Sequence, residues 1–146
     1  MEVYQATIKD LEGVSKLFDL YRVFYEQPTN IEAAKNFIQE RIEKKDSIIF
    51  VAVKNGEYFG FTQLYPSFSS VSMKRLWILN DLYVRQEARN SGVGRNLLAA
   101  AKQLAIQTQA KGLSLQTAVD NVSAQALYES DGWEKDEKFL YYILNI

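Results

Sequence analysis

Residues 89–94 read Arg-Asn-Ser-Gly-Val-Gly and lie between the apolar run LNDLYV (79–84) and RNLLAAAKQLAIQTQA (95–110), whose apolar residues recur at helical spacing. Backbone N–H groups at a helix start have no intrahelical partner and carry the positive end of the helix dipole. A loop exposing several of them binds a phosphate without a charged side chain, and Gly92 and Gly94 let an anion approach the backbone. The spacing departs from the better-known phosphate loops. G-x-x-x-x-G-K-[ST] is absent, and the third glycine of G-x-G-x-x-G would fall on Leu97. On spacing alone, an anion cradle and an ordinary strand-to-helix turn both stand.

The chain contains no His and no Cys. That excludes Ser-His-Asp and Cys-His hydrolysis, a cysteinyl acyl intermediate, thiolate metal sites and disulfides. Lysine plus arginine number 17 against 18 acidic residues, a net charge of −1 with no long basic stripe, so nucleic acid is not an expected partner. Apolar runs such as IIFVAV (48–53) fall far short of the roughly 20 residues that span a bilayer. The N-terminal MEVYQATIKD lacks a basic segment followed by an apolar one. A cytoplasmic protein without membrane contact is the expectation, and 146 residues with 47% apolar content suit a single domain over 1–146.

Periodicity supplies the elements. EVYQATI alternates as a strand; Asp10 is expected to cap a helix over about 10–25, and IEAAKNFIQERIEKKD (31–46) reads as a second helix. SIIFVAVK and YFGFTQLY flank Asn55-Gly56 as a hairpin, PSFSSVSMK reads as a loop, and RLWILNDLYV (75–84) as a long, mostly buried strand. A helix over 92–110, a buried strand LSLQTAV (113–119), a short helix from Ser123 to about Ser130 and a last strand KFLYYILNI (138–146) complete the order. The economical architecture is α/β in the α+β sense: a central mixed, mostly antiparallel sheet flanked by helices on both faces.

Two stretches carry a resemblance. VRQEARNSGVGRNLL (84–98) closely resembles the pyrophosphate-binding motif of the GNAT superfamily of N-acetyltransferases, with Arg89, Gly92 and Gly94 at the motif positions. DNVSAQALYESDGW (120–133) is similar to that superfamily's closing motif through Asn121, Ala124, Leu127, Tyr128, Gly132 and Trp133. The resemblance implies acetyl-CoA as cosubstrate. Its pyrophosphate would lie on the backbone of Arg89, Asn90, Ser91, Gly92, Val93 and Gly94, with Arg95 nearby. Its pantetheine arm would pair with strand backbone at Leu82 and Val84, with Asn121 and the Ala124 region on the other side.

Acetyl transfer by direct attack needs a neutral amine, a held oxyanion and a proton for the leaving thiolate. With no His, the nearest carboxylate is Asp81, and Asn80 could hold a water. Strand alternation sets these two on opposite faces and hence on separate tasks unless a bulge intervenes. The resemblance implies Tyr128 as the thiolate's proton donor and a strand N–H near Leu82 for the oxyanion. The resemblance also implies an acceptor pocket lined by an aromatic set including Phe24, Tyr25 and Trp77, with Tyr21, Tyr65, Phe68 and Phe139. The expected acceptor is a small-molecule amine (an amino acid or amine), with a peptide or protein amine second and a non-catalytic acyl-CoA-binding domain as the alternative from another class; dimers are common among family members, so a homodimer is a possible assembly.

Overall fold

The structure, a computed structural model, describes all 146 residues. Backbone contacts divide them into two compact units, Met1–Gln116 and Thr117–Ile146.

The first unit holds a five-stranded sheet in sequential order: β1 (Glu2–Gln5), β2 (Ile48–Lys54), β3 (Glu57–Ser69), β4 (Lys74–Val84) and β5 (Leu113–Ser114). Neighbours from β1 to β4 are antiparallel, and β5 joins β4 in parallel. The sheet is thus mixed and mostly antiparallel, as expected. Helices α1 (Leu11–Phe24) and α2 (Ile31–Lys44) precede β2, and α3 (Val93–Gln107) links β4 to β5. Successive strand residues face opposite ways, and Val51 and Ala52 display the consequence. Val51 packs with Val14, Leu17, Phe18 and Ile38 of α1 and α2, whereas Ala52 packs with Val93 and Leu97 of α3. Helices therefore cover both faces.

Local chemistry explains the ends. Asp10 does not cap α1 with its side chain; Thr7 caps a 3-10 turn over Ile8–Asp10, and Asp10 reaches back to the Thr7 N–H at 2.9 Å as the reciprocal half of a capping box. The Asp10 carboxylate also accepts from Tyr4 Oη at 2.7 Å and Tyr58 Oη at 2.6 Å, tying β1 and β3 to the start of α1. Asn30 caps α2 through Ala33 N–H at 3.1 Å. The β2–β3 turn sets Asn55 at φ 50° and Gly56 at φ 77°, the left-handed pair a two-residue hairpin requires. β3 is longer than expected: PSFS continues as strand, and the turn shrinks to residues 70–73.

In the second unit, α4 (Val122–Ser130) is capped by Asn121, whose Oδ1 accepts from Ala124 N–H at 3.2 Å. It ends in paired bonds from Trp133 N–H to the Tyr128 carbonyl at 3.0 Å and from Gly132 N–H to the Glu129 carbonyl at 3.2 Å. Gly132 at φ 97° makes that exit possible. Two expected strands fall short. Only Leu113 and Ser114 of LSLQTAV pair in the sheet, and KFLYYILNI forms no strand at all. Apolar character alone does not make a strand; a ladder partner does, and no strand of this chain pairs with residues 138–146.

Candidate active site

Where β4 leads into α3, the chain makes a 3-10 turn (Gln86–Ala88) and then the expected cradle. Gly92 is the residue before the helix and adopts φ 88°; a Cβ there would meet nothing within 4 Å, so its need for glycine is conformational rather than steric. The first intrahelical bond runs from Asn96 N–H to the Gly92 carbonyl at 3.0 Å, leaving the N–H groups of the preceding turn, Val93 and Gly94 among them, aimed out of the helix end. Asn90 takes φ 61°, and Ser91 Oγ donates to the Ala88 carbonyl, which turns the Ser91 side chain back onto the preceding 3-10 turn. Nothing acidic occupies the first turn of α3.

Beside the cradle the sheet opens. β5 pairs with β4 only at Trp77 and Ile78, so from Leu79 onward β4 has no neighbour on that side. On the other side Arg85 N–H donates to the Phe59 carbonyl at 2.8 Å. Antiparallel alternation then turns the peptide groups of Leu82 and Val84 away from β3 and towards the gap. The Val84 carbonyl there accepts from Arg89 Nε at 2.9 Å, and the Arg89 guanidinium lies over the rings of Phe24 (5.6 Å) and Tyr83 (5.7 Å). The side chains of Leu82 and Val84 pack beneath α3, so these residues serve core and gap at once.

The register of β3 and β4 jumps: Gln63 faces Asp81 and Leu64 faces Leu79, leaving Asn80 without an opposite residue. Asn80 is the extra residue of a β-bulge. A bulge thus does intervene, the condition on which Asn80 and Asp81 were not to be separated, and Asn80 Nδ2 donates to Asp81 Oδ1 at 2.9 Å. Gln63 Nε2 donates to the other oxygen, Oδ2, at 2.5 Å, and Ser47 Oγ holds Gln63 in turn through Oε1 at 2.8 Å. Tyr21 reaches the bulge from α1, with its hydroxyl 3.3 Å from the Asn80 carbonyl and a hydrogen bond to the Asp81 carboxylate.

Asp81 is 3% exposed. Burial pushes its carboxyl above the ordinary range, and the hydrogen bonds from Gln63, Asn80 and Tyr21 offset only part of that. Its charge is felt by two further phenols: Tyr65 is pushed up to about 12 by burial and then by Asp81, and Tyr25 is raised for the same two reasons. Tyr25 also stacks edge-on against Tyr21 and Phe24, at centroid separations of 5.0 and 5.3 Å. A buried carboxylate with three donors and a surround of phenols is suited to accept a proton or to hold a cation.

Trp77 does not belong to this group. The bulge shifts the alternation of β4, and Trp77 lies against α3, 5% exposed, with Nε1 donating to Thr108 Oγ1 at 2.9 Å. Sequence reasoning also passed over Gln63 and Ser47. The signal for Gln63 was a polar residue inside the apolar run YFGFTQLY, completely buried here.

In the second unit, Tyr128 is half-buried on α4 with its ring 5.9 Å from that of Trp133. Asn121 uses Oδ1 as the helix cap.

Among known proteins, the profile of the acetyltransferase (GNAT) family matches residues 14–133. An uncharacterised N-acetyltransferase of Bacillus subtilis, YhfO, is 49% identical over all of this chain and 98% of its own length. A crystal structure of a probable acetyltransferase superposes with a TM-score of 0.95 at 44% identity, covering 100% of this chain and 98% of the other. AAC(6')-Iy, solved with the bisubstrate analogue CoA-S-monomethyl-acetylneamine, shares the fold at a TM-score of 0.80 and 19% identity, over 99% and 98% of the two chains. A helix-mouth cradle, a parted strand pair and a bulged strand bearing a buried carboxylate are thus found in a chain that belongs to the GNAT family of acetyltransferases.

Proposed function

We propose that this enzyme moves the acetyl group of acetyl-CoA directly to the primary amine of a small molecule, with Asp81 receiving the amine's proton. The observation that carries the reading is the buried Asp81 carboxylate at the Asn80 bulge, on the same strand as the gap-facing peptide groups of Leu82 and Val84.

The residues present fit acetyl-CoA. Gly92 at φ 88° and the outward N–H groups of Val93 and Gly94 suit a pyrophosphate; Arg89, Asn90, Ser91 and Arg95 complete that loop. Leu82 and Val84 would pair with the pantetheine amides, and the Asn121 amide beside Ala124 would contribute from α4. When bound, the thioester supplies an activated acetyl carbon.

This chain's own residues do the rest. An aliphatic amine of pKa about 10.4 must lose a proton near pH 7, a cost of roughly 4–5 kcal/mol at about 1.36 kcal/mol per unit. Asp81, its affinity for protons raised by burial, takes that proton directly or through one ordered water held by Asn80. Before attack, its charge and the faces of Tyr21, Tyr25 and Phe24 hold the ammonium form of the acceptor. The Leu82 N–H donates to the oxyanion as the new C–N bond forms. Tyr128 gives a hydrogen bond or proton to the sulfur as the C–S bond breaks; the phenol is the weaker acid by roughly 2 kcal/mol, a modest mismatch. With no Cys in the chain, no thiol of the protein carries the acetyl group. The small-molecule reading is favoured by the compact phenol surround of Asp81 and by the acetylneamine portion of the bisubstrate analogue in AAC(6')-Iy.

The test is release of free CoA thiol from acetyl-CoA across a panel of polyamines, amino acids, amino sugars and lysine peptides, with product masses measured. A small amine turned over at least tenfold faster, by kcat/KM, than any peptide supports the proposal. Turnover confined to peptides refutes its acceptor class.

A further inference from the structure

Gln63 lies inside the apolar run YFGFTQLY, is completely buried, and pairs across the sheet with Ile49 on β2 and with Asp81 on β4. An amide in such a place costs stability unless its polar atoms find partners. Here both ends do. Nε2 donates to Asp81 Oδ2 at 2.5 Å, and Oε1 accepts from the Oγ of Ser47, a half-buried residue just before β2, at 2.8 Å. The neighbouring Thr62 Oγ1 donates to the Asp81 carbonyl at 2.8 Å, so β3 holds the backbone of Asp81 as well as its carboxylate.

The chain Ser47–Gln63–Asp81 can run in either direction. An ionised carboxylate only accepts, a protonated one also donates, an amide offers both functions at fixed atoms, and a hydroxyl does either. With Asp81 ionised, both bonds point inward, from Ser47 to Gln63 and from Gln63 to Asp81. With Asp81 protonated, a half-turn of the Gln63 amide reverses them: Asp81 donates to Oε1, and Nε2 donates to Ser47 Oγ. No proton travels along the chain; the one gained or lost sits on Asp81. The two directions differ in strength, because a hydrogen bond to an ionised group is roughly twice as strong as one between neutral groups. Gln63, polarised from behind by Ser47, therefore favours the ionised carboxylate against the burial that opposes it.

We infer that Gln63, held at its outer end by Ser47, is a positioning residue for the reaction: it sets how readily Asp81 takes up and releases a proton, and it stays bonded in both states. The inference rests on the reading of Asp81 as acceptor of the amine's proton. The other titratable groups around Asp81 are Tyr21 and Tyr25 at α1 and Tyr65 on β3; Arg41 and Asp46, paired at 2.9 Å, act on Tyr65 in turn. Substitutions at 63 and 47 leave all of these groups in place.

The test is titration of the Asp81 carboxyl carbon by carbon-13 NMR in the substrate-free enzyme, its signal assigned by its loss in Asp81→Asn, alongside the pH dependence of kcat/KM. Gln63→Met keeps an unbranched side chain of similar length and removes both polar atoms. It is expected to raise the Asp81 midpoint and the acid limb of kcat/KM together by about one pH unit, tenfold in proton affinity, while the plateau above that limb falls by no more than about threefold. Ser47→Ala should raise both by about half a unit, and Ser47→Thr, which restores the hydroxyl, should return them to wild-type values. Should Gln63→Met fail to fold, as judged by circular dichroism, the two Ser47 variants carry the test. An Asp81 midpoint that stays put in Gln63→Met and Ser47→Ala, or a kcat/KM lowered by one factor at every pH, would overturn the inference and leave Asp81 as the base. If the carboxyl midpoint moves and the acid limb does not, the hold of Gln63 on Asp81 stands, and the assignment of the amine's proton to Asp81 fails instead.

Discussion

Gly60 touches none of the expected ligand contacts, yet substitution there should weaken cofactor binding. It lies on β3 beneath the first turns of α3, and an added Cβ would come within 3.0 Å of the Tyr83 carbonyl, 3.1 Å of Val93 Cγ1 and 3.2 Å of Leu97 Cδ1. Val93 and Leu97 are 3% and 0% exposed, so neither side chain can swing into solvent, and the mouth of α3 must lift by a few tenths of an ångström. Overpacking of this kind costs about 1–3 kcal/mol. At about 2–4 °C per kcal/mol for a chain of this size, Gly60→Ala should lower Tm by roughly 2–12 °C. The same shift moves the N–H groups of Val93 and Gly94. A hydrogen bond to a charged group contributes about 1.5–3 kcal/mol, so losing part of one raises the Kd for CoA about tenfold. Gly56→Ala is the control: it is strained at φ 77° but its Cβ meets nothing, so it should cost about 1–2 kcal/mol without altering CoA affinity. Differential scanning calorimetry and isothermal titration with CoA measure both quantities. Equal CoA affinity in the two variants, at comparable loss of stability, would refute the coupling of Gly60 to the cradle.

Tyr128→Phe is expected to lower kcat at least tenfold with CoA affinity nearly unchanged; unaltered turnover removes the phenol from the reaction. Asp81→Asn should raise Tm at pH 7. The Asp81 carboxyl sits above its unfolded value of about 3.9, so its ionisation destabilises the fold increasingly as pH rises through the folded value. The gain in Tm should vanish near pH 4, and a gain independent of pH would contradict the assignment. Tyr58→Phe tests the opposite sign. Burial raises Asp10, but the bonds from Tyr58, the Thr7 N–H and Tyr4 together outweigh it and hold the carboxyl below its ordinary range. Its stabilisation is complete above about pH 4 and lost as pH falls through the depressed value. Losing the Tyr58 bond should cost about 1.5–3 kcal/mol at pH 7 and progressively less in acid, read from urea unfolding at several pH values.

What could be read from residue order was what residue order controls. The Asn55-Gly56 turn, the apolar stripes of α1 and α3 and the left-handed Gly92 at the start of α3 are local, and each appears where its chemistry requires. The bulge at Asn80 is not local. It arises where the ten residues Gly60–Ser69 of β3 pair against the eleven residues Lys74–Val84 of β4, and nothing in Leu-Asn-Asp-Leu announces it. Its consequences spread: Trp77 turns to α3, Asn80 joins Asp81, and Gln63 becomes a carboxylate's partner. Asp10 misled for a related reason. An acidic residue before a helix reads as a cap, whereas the Thr7 N–H, Tyr4 and, from far along the chain, Tyr58 claimed its carboxylate. KFLYYILNI has a strand's composition without a partner in its own chain, and composition carries no information about partners.

The role of Asp81 is tested most directly by the pH dependence of kcat/KM, with the best acceptor from the amine panel, for the wild type and Asp81→Asn. General-base catalysis contributes about 10²–10⁴-fold. The expected result is a loss of at least a hundredfold in Asp81→Asn, together with disappearance of the acid limb that ionisation of Asp81 imposes on the wild type. An Asp81→Asn enzyme with wild-type kcat/KM and an unchanged profile would contradict the assignment of the proton to this carboxylate.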